Sequence, residues 1–512
     1  MESTLSRRSF LAGLALTGTA AAAAGLAGCA PAPAMSDAGS DSSAEADEVV
    51  AGLVEVDPAQ IAREVDCDIL VCGAGAAGLT AAAYAAEQGA KVICIEKTSA
   101  CCDGGANHGF INTKLGLANG GAPIGVDEAA NFLFLMNDGL GDTRIHRAYA
   151  EYSSVVGDWL VDVGNATGHA VEIVALPGDA HDWLTGMKWD NITEMERDYA
   201  LSQGAEILFR MPVVQLVRGE DGRVTGAIAE DLEAGEYVRY NASKGVLLAT
   251  GGIMGNPDMI REYVPAFDPD TLFDPSPNSP EGGEDGDAIP ICQQIGARIG
   301  DKPFAAEVHF LKGAMPSEGV LFVDGLGDRM PDNATMLRED YRANIMSRRP
   351  GKCTWRIIDS KPGYPETYPP SPVQPDYQDV GDPFDTWEEM AEARGFDPQV
   401  LKATVEDWNR YISEGRDQRY GADLSSAMPL DTPPYYAQVC PGVSFSFIGG
   451  PVIDEKMRVV DEGYRPIEGL YAAGCSTSGC LGVYYNFSWG GFGRTWSEVS
   501  GYLAAKDMLE RA

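Results

Sequence analysis

The clearest pattern along the chain is a fully apolar run, Ile69-Leu70-Val71-Cys72, entered from Asp68 and ended by Gly73-Ala74-Gly75-Ala76-Ala77-Gly78. A short run without polar alternation predicts a strand buried on both faces. The Ala-rich stretch that follows, up to Gly89, predicts a helix. Val92-Ile93-Cys94-Ile95 repeats the apolar run and ends on Glu96. Strand, glycine turn, helix, strand and acid together predict a dinucleotide site that includes Ala74, Ala76 and Ala77. Gly73 permits the tight turn, Gly75 lets the backbone approach a pyrophosphate, and Gly78 lets the helix pack closely. The helix N-terminus offers N–H groups and partial positive charge to the phosphates. Glu96 can accept from ribose hydroxyls.

Residues 127–163 carry apolar positions at helical spacing and are assigned to packing. From Ala205 the pattern changes to strands. Glu206-Ile207-Leu208-Phe209 is followed by 213–217, a Gly-Glu-Asp-Gly turn and 224–229, which predicts a β-hairpin. Another apolar strand, Gly245-Val246-Leu247-Leu248-Ala249-Thr250, runs into Gly251-Gly252. A helix-like segment opens at Asp285-Gly286-Asp287. From about Pro303 aromatics, prolines and arginines rise, and 364–377 reads as irregular. Residues 384–393 and 398–412 read as amphipathic helices inside this block. The nucleotide-domain pattern resumes at Ile448-Gly449-Gly450, continues through Gly469-Leu470-Tyr471-Ala472-Ala473-Gly474, and closes with a helix over 491–509.

Composition narrows the partners. The net charge is −38 over 512 residues, with no basic patch, which argues against nucleic acid and predicts repulsion from anionic lipid. Ser6-Arg7-Arg8-Ser9-Phe10-Leu11 before an Ala/Gly-rich run resembles a twin-arginine export signal, assigned to 1–35. Leu26-Ala27-Gly28-Cys29 resembles a lipobox in which Cys29 would be lipidated; cleavage near Ala32–Ala34 is the alternative. Residues 36–65 then form a flexible acidic linker. The chain is therefore expected to be extracytoplasmic and lipid-anchored. The eleven cysteines include no Cys-x-x-Cys, so haem, iron–sulfur and zinc lack their signatures and no metal site is expected. Cys67, Cys72 and Cys94 read as core residues. Cys101-Cys102 is either a vicinal disulfide or two thiols.

Together these segments resemble the flavoprotein family of fumarate reductases and succinate dehydrogenases, whose soluble branch includes urocanate reductases and 3-ketosteroid dehydrogenases. The resemblance runs from about Asp66 to the C-terminus. It rests on the Gly73–Gly78 turn with Glu96-Lys97, Leu248-Ala249-Thr250-Gly251-Gly252, Asn256-Pro257, Gly283-Glu284-Asp285-Gly286-Asp287, Gly449-Gly450 and the segment ending at Gly474. It implies an α/β fold. A Rossmann-like FAD-binding domain would occupy 66–302 and 447–512, with an inserted α+β capping domain at 303–446 that helps to bind substrate. It also implies FAD contacts at Lys97, Gly104, Gly105, Ala106, Asn107, Val214, Ala249, Thr250, Gly251, Asp287, Gly474, Cys475, Ser488, Trp489 and Gly490. His108 in the 97–113 loop is either a flavin attachment point or a polar loop histidine.

The family moves hydride between flavin N5 and a carbon beta to an activating carbonyl, and in fumarate reductases a capping-domain arginine supplies the proton. Gly327-Asp328-Arg329-Met330-Pro331-Asp332-Asn333 resembles the segment preceding that arginine, which makes Arg338 the expected acid and Arg329 the runner-up. Lys312 and Glu318 are nearby candidates for a proton relay. Glu307-Val308-His309 matches a Gln-x-His segment near the substrate, so His309 is a site candidate. Three positions depart from the family: Ser446 replaces a histidine, Ser488 replaces a carboxylate-clamping arginine, and Cys475 replaces a glutamate. Around them stand Phe445, Phe447, Tyr484, Tyr485, Phe487 and Trp489, either as core or as an apolar wall for a flat substrate. In the second case Tyr484 or Tyr485 would polarise a carbonyl. The expectation is an exported FAD enzyme that reduces an activated C=C bond of an aromatic or cyclic small molecule such as an aryl-acrylate, enone or steroid-like compound. Electrons would come from a membrane-linked cytochrome or quinol partner. A 3-ketosteroid-type dehydrogenase, a fumarate reductase and a non-catalytic flavin electron-transfer lipoprotein are the alternatives.

Overall fold

A computed structural model describes residues 55–102, 107–176, 181–270, 283–309, 319–331, 345–364, 382–440, 442–483, 485 and 488–511. The export-signal and lipobox expectations lie outside the described residues. The spine is a parallel sheet in the spatial order Glu206–Leu208, Val92–Ile95, Ile61–Cys72, Glu236–Leu248, Pro466–Ala472. Arg458–Val460 adds an antiparallel edge. The hairpin of Val213–Arg218 and Val224–Asp231 pairs with the first half of Glu236–Leu248.

Two of these strands are longer than their apolar runs. Ile61–Cys72 is largely exposed over its first half and buried over its last residues. Glu236–Leu248 alternates buried and half-buried positions where it pairs with the hairpin, then turns wholly buried where it enters the parallel spine. Only the buried halves are visible as apolar runs in the sequence.

Helix Ala76–Glu87 covers this sheet, and the last helix, Phe492–Glu510, lies against it. The two approach so closely that a Cβ on Gly501 would sit 2.1 Å from the Ala77 carbonyl oxygen. The helical region expected at 127–163 is two helices, Val126–Met136 and Thr143–Thr167. Asp138 and Gly139 take positive φ between them, and Asp142 Oδ1 caps the second by accepting from Arg144 N. The 97–113 loop contains a buried strand, His108–Ile111, paired with Leu184–Trp189. Helix Ile192–Ser202 has no counterpart in the sequence reading.

Within 303–446 a three-stranded antiparallel sheet of Leu321–Val323, Thr354–Asp359 and Tyr435–Cys440 packs with helices Trp387–Arg394 and Pro398–Glu414. Their shared core includes Val323, Ile357, Met390, Leu401 and Trp408. A separate two-stranded ribbon pairs Ala305–His309 with Val443–Ile448; its Ala305 and Ile448 belong to the spine's core, and its Val308 and Phe447 cluster with Phe322 and Cys440.

Candidate active site

From strand Ile61–Cys72 the chain moves to one side, to Val92–Ile95, while Glu236–Leu248 lies on the other. Open parallel sheets bind ligands outside the carboxyl ends of their strands at such a reversal. A cavity of about 1630 Å³, counted with its mouth, lies there. At its floor Gly73 has φ +113°, and a Cβ on it would sit 2.1 Å from the Ala249 carbonyl oxygen. Gly75 has no such neighbour: the nearest atom to its ideal Cβ is Cys102 Cβ at 3.8 Å. A side chain at Gly75 would therefore occupy the cavity instead of clashing with protein. The turn leads into the N-terminus of Ala76–Glu87, whose N–H groups suit a phosphate.

Glu96 secures this turn. Its Oε2 accepts from Ala74 N at 2.8 Å, and its Oε1 accepts from Thr98 N at 2.9 Å and Thr98 Oγ1 at 3.0 Å. Lys97 Nζ reaches Asp285 Oδ2 at 2.8 Å and Asp287 Oδ2 at 2.9 Å. Burial pulls the Lys97 pKa down, but Asp287 and Asp285 outweigh it and hold the ammonium above its usual value.

The ribbon and the start of the last helix form another part of the lining, with Glu307, Phe445, Ser446, Tyr485 and Gly493. Glu307 pairs with Ser446 and Val308 with Ser444, so Phe445 is the extra residue of a β-bulge. That bulge breaks the alternation that would put Phe445 and Phe447 on one face. Phe445 lines the cavity and is 40% exposed, whereas Phe447 is fully buried core. The Tyr485 hydroxyl accepts from Gly493 N at 2.8 Å. Burial holds the Tyr485 pKa well above the usual phenol value, with Glu307 adding to it. Ser446 Oγ donates to Cys475 Sγ at 3.1 Å. Burial pushes the Cys475 thiol up to about 12, with Glu284 adding and Ser446 opposing.

Behind the lining runs a buried ionic chain. Arg494, itself a lining residue, donates from Nε to Glu498 Oε1 at 2.9 Å and from Nη2 to Glu196 Oε2 at 3.0 Å. Glu196 also accepts from the Thr80 hydroxyl. Glu498 Oε1 lies 2.8 Å from His108 Nε2, and His108 Nδ1 lies 3.2 Å from the Met187 carbonyl oxygen. Both ring nitrogens of His108 are thus engaged inside a buried strand. His108 is neither a polar loop residue nor among the cavity-lining residues, so both earlier readings of it are corrected.

Of the residues expected at a cofactor, Gly73, Gly75, Ala76, Ala77, Glu96, Lys97, Asn107, Ala249, Thr250, Gly251, Asp287, Gly474 and Cys475 line the cavity, as does Tyr485. Ala74 contributes its N–H to Glu96. Gly78 lies behind the turn, where a Cβ would stand 1.9 Å from the Gly73 carbonyl oxygen. Val213, not its neighbour Val214, faces the cavity. Ser488, Trp489 and Gly490 are buried and are not among the lining residues. Trp489 packs against Tyr149 and Phe492 and donates from Nε1 to the Gly109 carbonyl at 2.8 Å.

Arg329 is 2% exposed and also stands away from the cavity lining. It pairs with Asp417 at 3.0 Å and lies over Trp408 and Tyr420. Gly104, Gly105, Ala106, Lys312, Glu318, Arg338, Tyr484 and Phe487 lie outside the described residues. His309 ends its strand opposite Val443, and its side chain also lies outside the description. All ten described cysteines, Cys101 and Cys102 included, are unbridged. The sequence reading did not single out Met211, Glu284, the Glu307 carboxylate, Gly493, Arg494 or Ser497 as cavity residues. Glu284 and Glu307 stand inside segments quoted for other residues, whereas Met211, Gly493, Arg494 and Ser497 carry no local motif.

The cavity fits FAD. A glycine turn leaves room where a Cβ would project, a helix N-terminus faces a phosphate position, and Glu96 stands beside them. A family model described as an FAD binding domain matches residues 68–488. The chain is 28% identical over 480 residues to a probable fumarate reductase Ifc3 of Shewanella frigidimarina, covering 86% of this chain and 75% of that protein. It is 25% identical over 552 residues to a digoxin reductase of Eggerthella lenta, covering 97% and 95%. Among solved structures, the open conformation of a flavocytochrome c3 fumarate reductase superposes with a TM-score of 0.63 at 24% identity, covering 88% of this chain and 80% of that one.

Proposed function

The chain belongs to the FAD binding domain family, and from that premise we propose that it is an exported reductase of an activated carbon–carbon double bond. Bound FAD would supply hydride to the acceptor. The observation that carries this reading is that one cavity is lined both by the glycine turn of the nucleotide site and by Glu307, Phe445, Ser446 and Tyr485, contributed by the ribbon and the segment before the last helix. The relatives named for reduction of fumarate and of digoxin support the same class of chemistry.

The protein's own groups have separable tasks. Gly75 and the helix N-terminus at Ala76 would receive the pyrophosphate, while Glu96 fixes the turn and would face the ribose. Lys97 pairs with Asp285 and with Asp287, the latter on the same wall. Phe445 and the Tyr485 ring offer apolar faces to a flat acceptor, and Gly493 N fixes the Tyr485 hydroxyl. We assign the proton to Arg338, with His309 and Tyr484 or Tyr485 orienting the acceptor. An arginine normally stays protonated, so it can donate only from a dry site with a relay that returns the proton.

Electrons would arrive from a membrane-linked cytochrome or quinol partner. The Arg7-Arg8 signal and Cys29 would place the enzyme outside the cytoplasmic membrane. The test is reoxidation of the chemically reduced holoenzyme by a panel of enones, cinnamates and fumarate. Reoxidation by at least one alkene, with formation of its saturated product, is expected. If no alkene reoxidises the flavin, the reading fails. If a saturated ketosteroid reduces the oxidised flavin instead, the physiological direction is dehydrogenation.

A further inference from the structure

The buried ionic chain behind the cavity wall holds a proton whose place its hydrogen bonds define. His108 Nδ1 faces the Met187 carbonyl oxygen at 3.2 Å, and a carbonyl only accepts, so Nδ1 carries a hydrogen. His108 Nε2 faces Glu498 Oε1 at 2.8 Å. A bare imidazole nitrogen and an ionised carboxylate would repel at that distance, so one further hydrogen lies between them, on one atom or the other. The two side chains thus form one shared proton site, and both are 0% exposed.

Other ionisable groups face this site. On its own helix Arg494 donates from Nε to the same Glu498 Oε1 at 2.9 Å, and Glu196, from Ile192–Ser202, shares that guanidinium. Burial raises the Glu196 pKa, with Arg494 opposing and Glu498 adding, so the two carboxylates compete for one cation. From Thr143–Thr167, Tyr149 feels the Glu498 charge, but burial holds its phenol far above the usual range and keeps it neutral. Phe110 and Trp189, the rings against His108, do not titrate. Glu498 Oε2 is buried and has no hydrogen-bond partner among the described residues. A full negative charge on Glu498 is therefore poorly solvated, which favours a bound proton.

Arg494 and Ser497 line the cavity, and Glu498 follows them on the same helix, one turn from Arg494. Reducing a cofactor in that cavity adds negative charge to it. At an effective dielectric of about 20, a unit charge nearby changes the proton affinity of a buried site by about tenfold or more.

We propose that the His108–Glu498 pair is a redox-linked proton site, which keeps its proton to a higher pH when the bound FAD is reduced than when it is oxidised. Within that interval the two electrons come from the donor and stay on the cofactor. One proton beyond the flavin's own comes from solvent and bonds at Glu498 Oε1 or His108 Nε2. By linkage, a proton on the pair favours reduction to the same extent. The inference uses the FAD assignment alone and holds whichever acceptor is reduced.

The test is a dithionite titration of the holoenzyme against redox dyes, repeated from about pH 6 to about pH 9, where the slope of midpoint potential against pH counts protons taken up per two electrons. The wild type should show an interval with up to one proton more than Glu498→Gln. A glutamine resembles the protonated acid, since its oxygen accepts from Arg494 and its amide donates to His108, but it does not titrate. Its potential should meet the wild type's at low pH and lie above it at high pH by about 30 mV or more, which is tenfold for a two-electron couple. Glu196→Gln should keep the extra proton, because His108 and Glu498 stay in place.

The inference is overturned if wild type and Glu498→Gln run parallel over the whole range, even where the variant melts lower, since the pair would then be structural. Loss of the extra proton in Glu196→Gln with its retention in Glu498→Gln also overturns it, by placing the proton on Glu196. If Glu498→Gln does not retain FAD, His108→Gln takes its place, and a wild-type slope there overturns the inference equally. Slopes that differ as expected, in an enzyme whose reduced flavin no alkene reoxidises, would leave the inference standing and remove the reductase reading.

Discussion

Arg494 and Glu196, nearly three hundred residues apart in sequence, form a 3.0 Å ion pair with side-chain exposures of 3% and 0%. Glu498 completes the other side of the guanidinium at 2.9 Å. Removing one partner of a buried pair leaves an uncompensated charge and costs about 3–5 kcal/mol. Arg494→Met takes the shared donor from Glu196 and Glu498 and is expected to cost about that much in denaturant titration of the FAD-loaded protein. A variant as stable as the wild type would contradict this.

The same pair predicts a pH dependence. Burial raises the Glu196 pKa from 4.5 to about 8, with Arg494 opposing and Glu498 adding. A carboxyl raised in the fold binds more protons there than in the unfolded chain between those two values. Its contribution is present below the unfolded pKa and is lost as pH rises through the folded one. Glu196→Gln removes that titration, so its melting temperature should fall less from about pH 5 to about pH 8 than the wild type's. Parallel declines in the two proteins would count against the assignment.

Two glycines of one turn should fail differently. Gly73→Ala adds a Cβ 2.1 Å from a backbone oxygen at φ +113° and should prevent folding or destabilise it severely. Gly75 has φ −92°, a conformation open to any residue, and its Cβ direction meets only the cavity. Gly75→Val should therefore keep its circular dichroism spectrum and lose FAD affinity by about tenfold or more, the cost of roughly one displaced contact. Equal FAD affinity in Gly75→Val and wild type would remove the pyrophosphate from this turn.

The two arginine candidates separate cleanly. Arg338→Ala should retain FAD and lose turnover by roughly a hundredfold to ten-thousandfold, the range of general acid catalysis. Arg329→Met should leave turnover per folded molecule unchanged and cost about 3–5 kcal/mol of stability, because it abandons Asp417. The reverse outcome in kinetics and melts would make Arg329 the acid.

Trp489→Phe keeps an aromatic ring but deletes the N–H that serves the Gly109 carbonyl. A buried acceptor left without its donor costs about 1–3 kcal/mol. The variant should melt lower and bind FAD more weakly, because this bond helps seat the start of the last helix. An unchanged melt would show that water takes over the bond.

What the sequence revealed followed from local chemistry. The Gly73–Gly78 turn, the Val213–Asp231 hairpin region and the closing helix each carry their pattern in consecutive residues. Strand lengths were less legible, because the first halves of Ile61–Cys72 and Glu236–Leu248 are not continuously buried and so lack an apolar run. His108 looked like a loop residue because a buried ionic partner, Glu498, lies 390 positions away and leaves no local trace. The aromatic group divided for a reason no periodicity contains: one inserted residue at Phe445 turns it toward the cavity, while Phe447 stays in the core.

The contact of Gly501 with Ala77, and that of Gly491 with the backbone at Asn107 and Gly109, set the order in which this protein can be made. The cavity takes walls from the first Rossmann turn and from a helix that begins at Phe492, so the complete pocket exists only once those two distant segments have come together. FAD would then stabilise chiefly the completed fold, because both of its walls are present only there. A secretion route that threads the chain unfolded would have to load the cofactor on the far side, whereas a route for folded cargo would carry it across already in place.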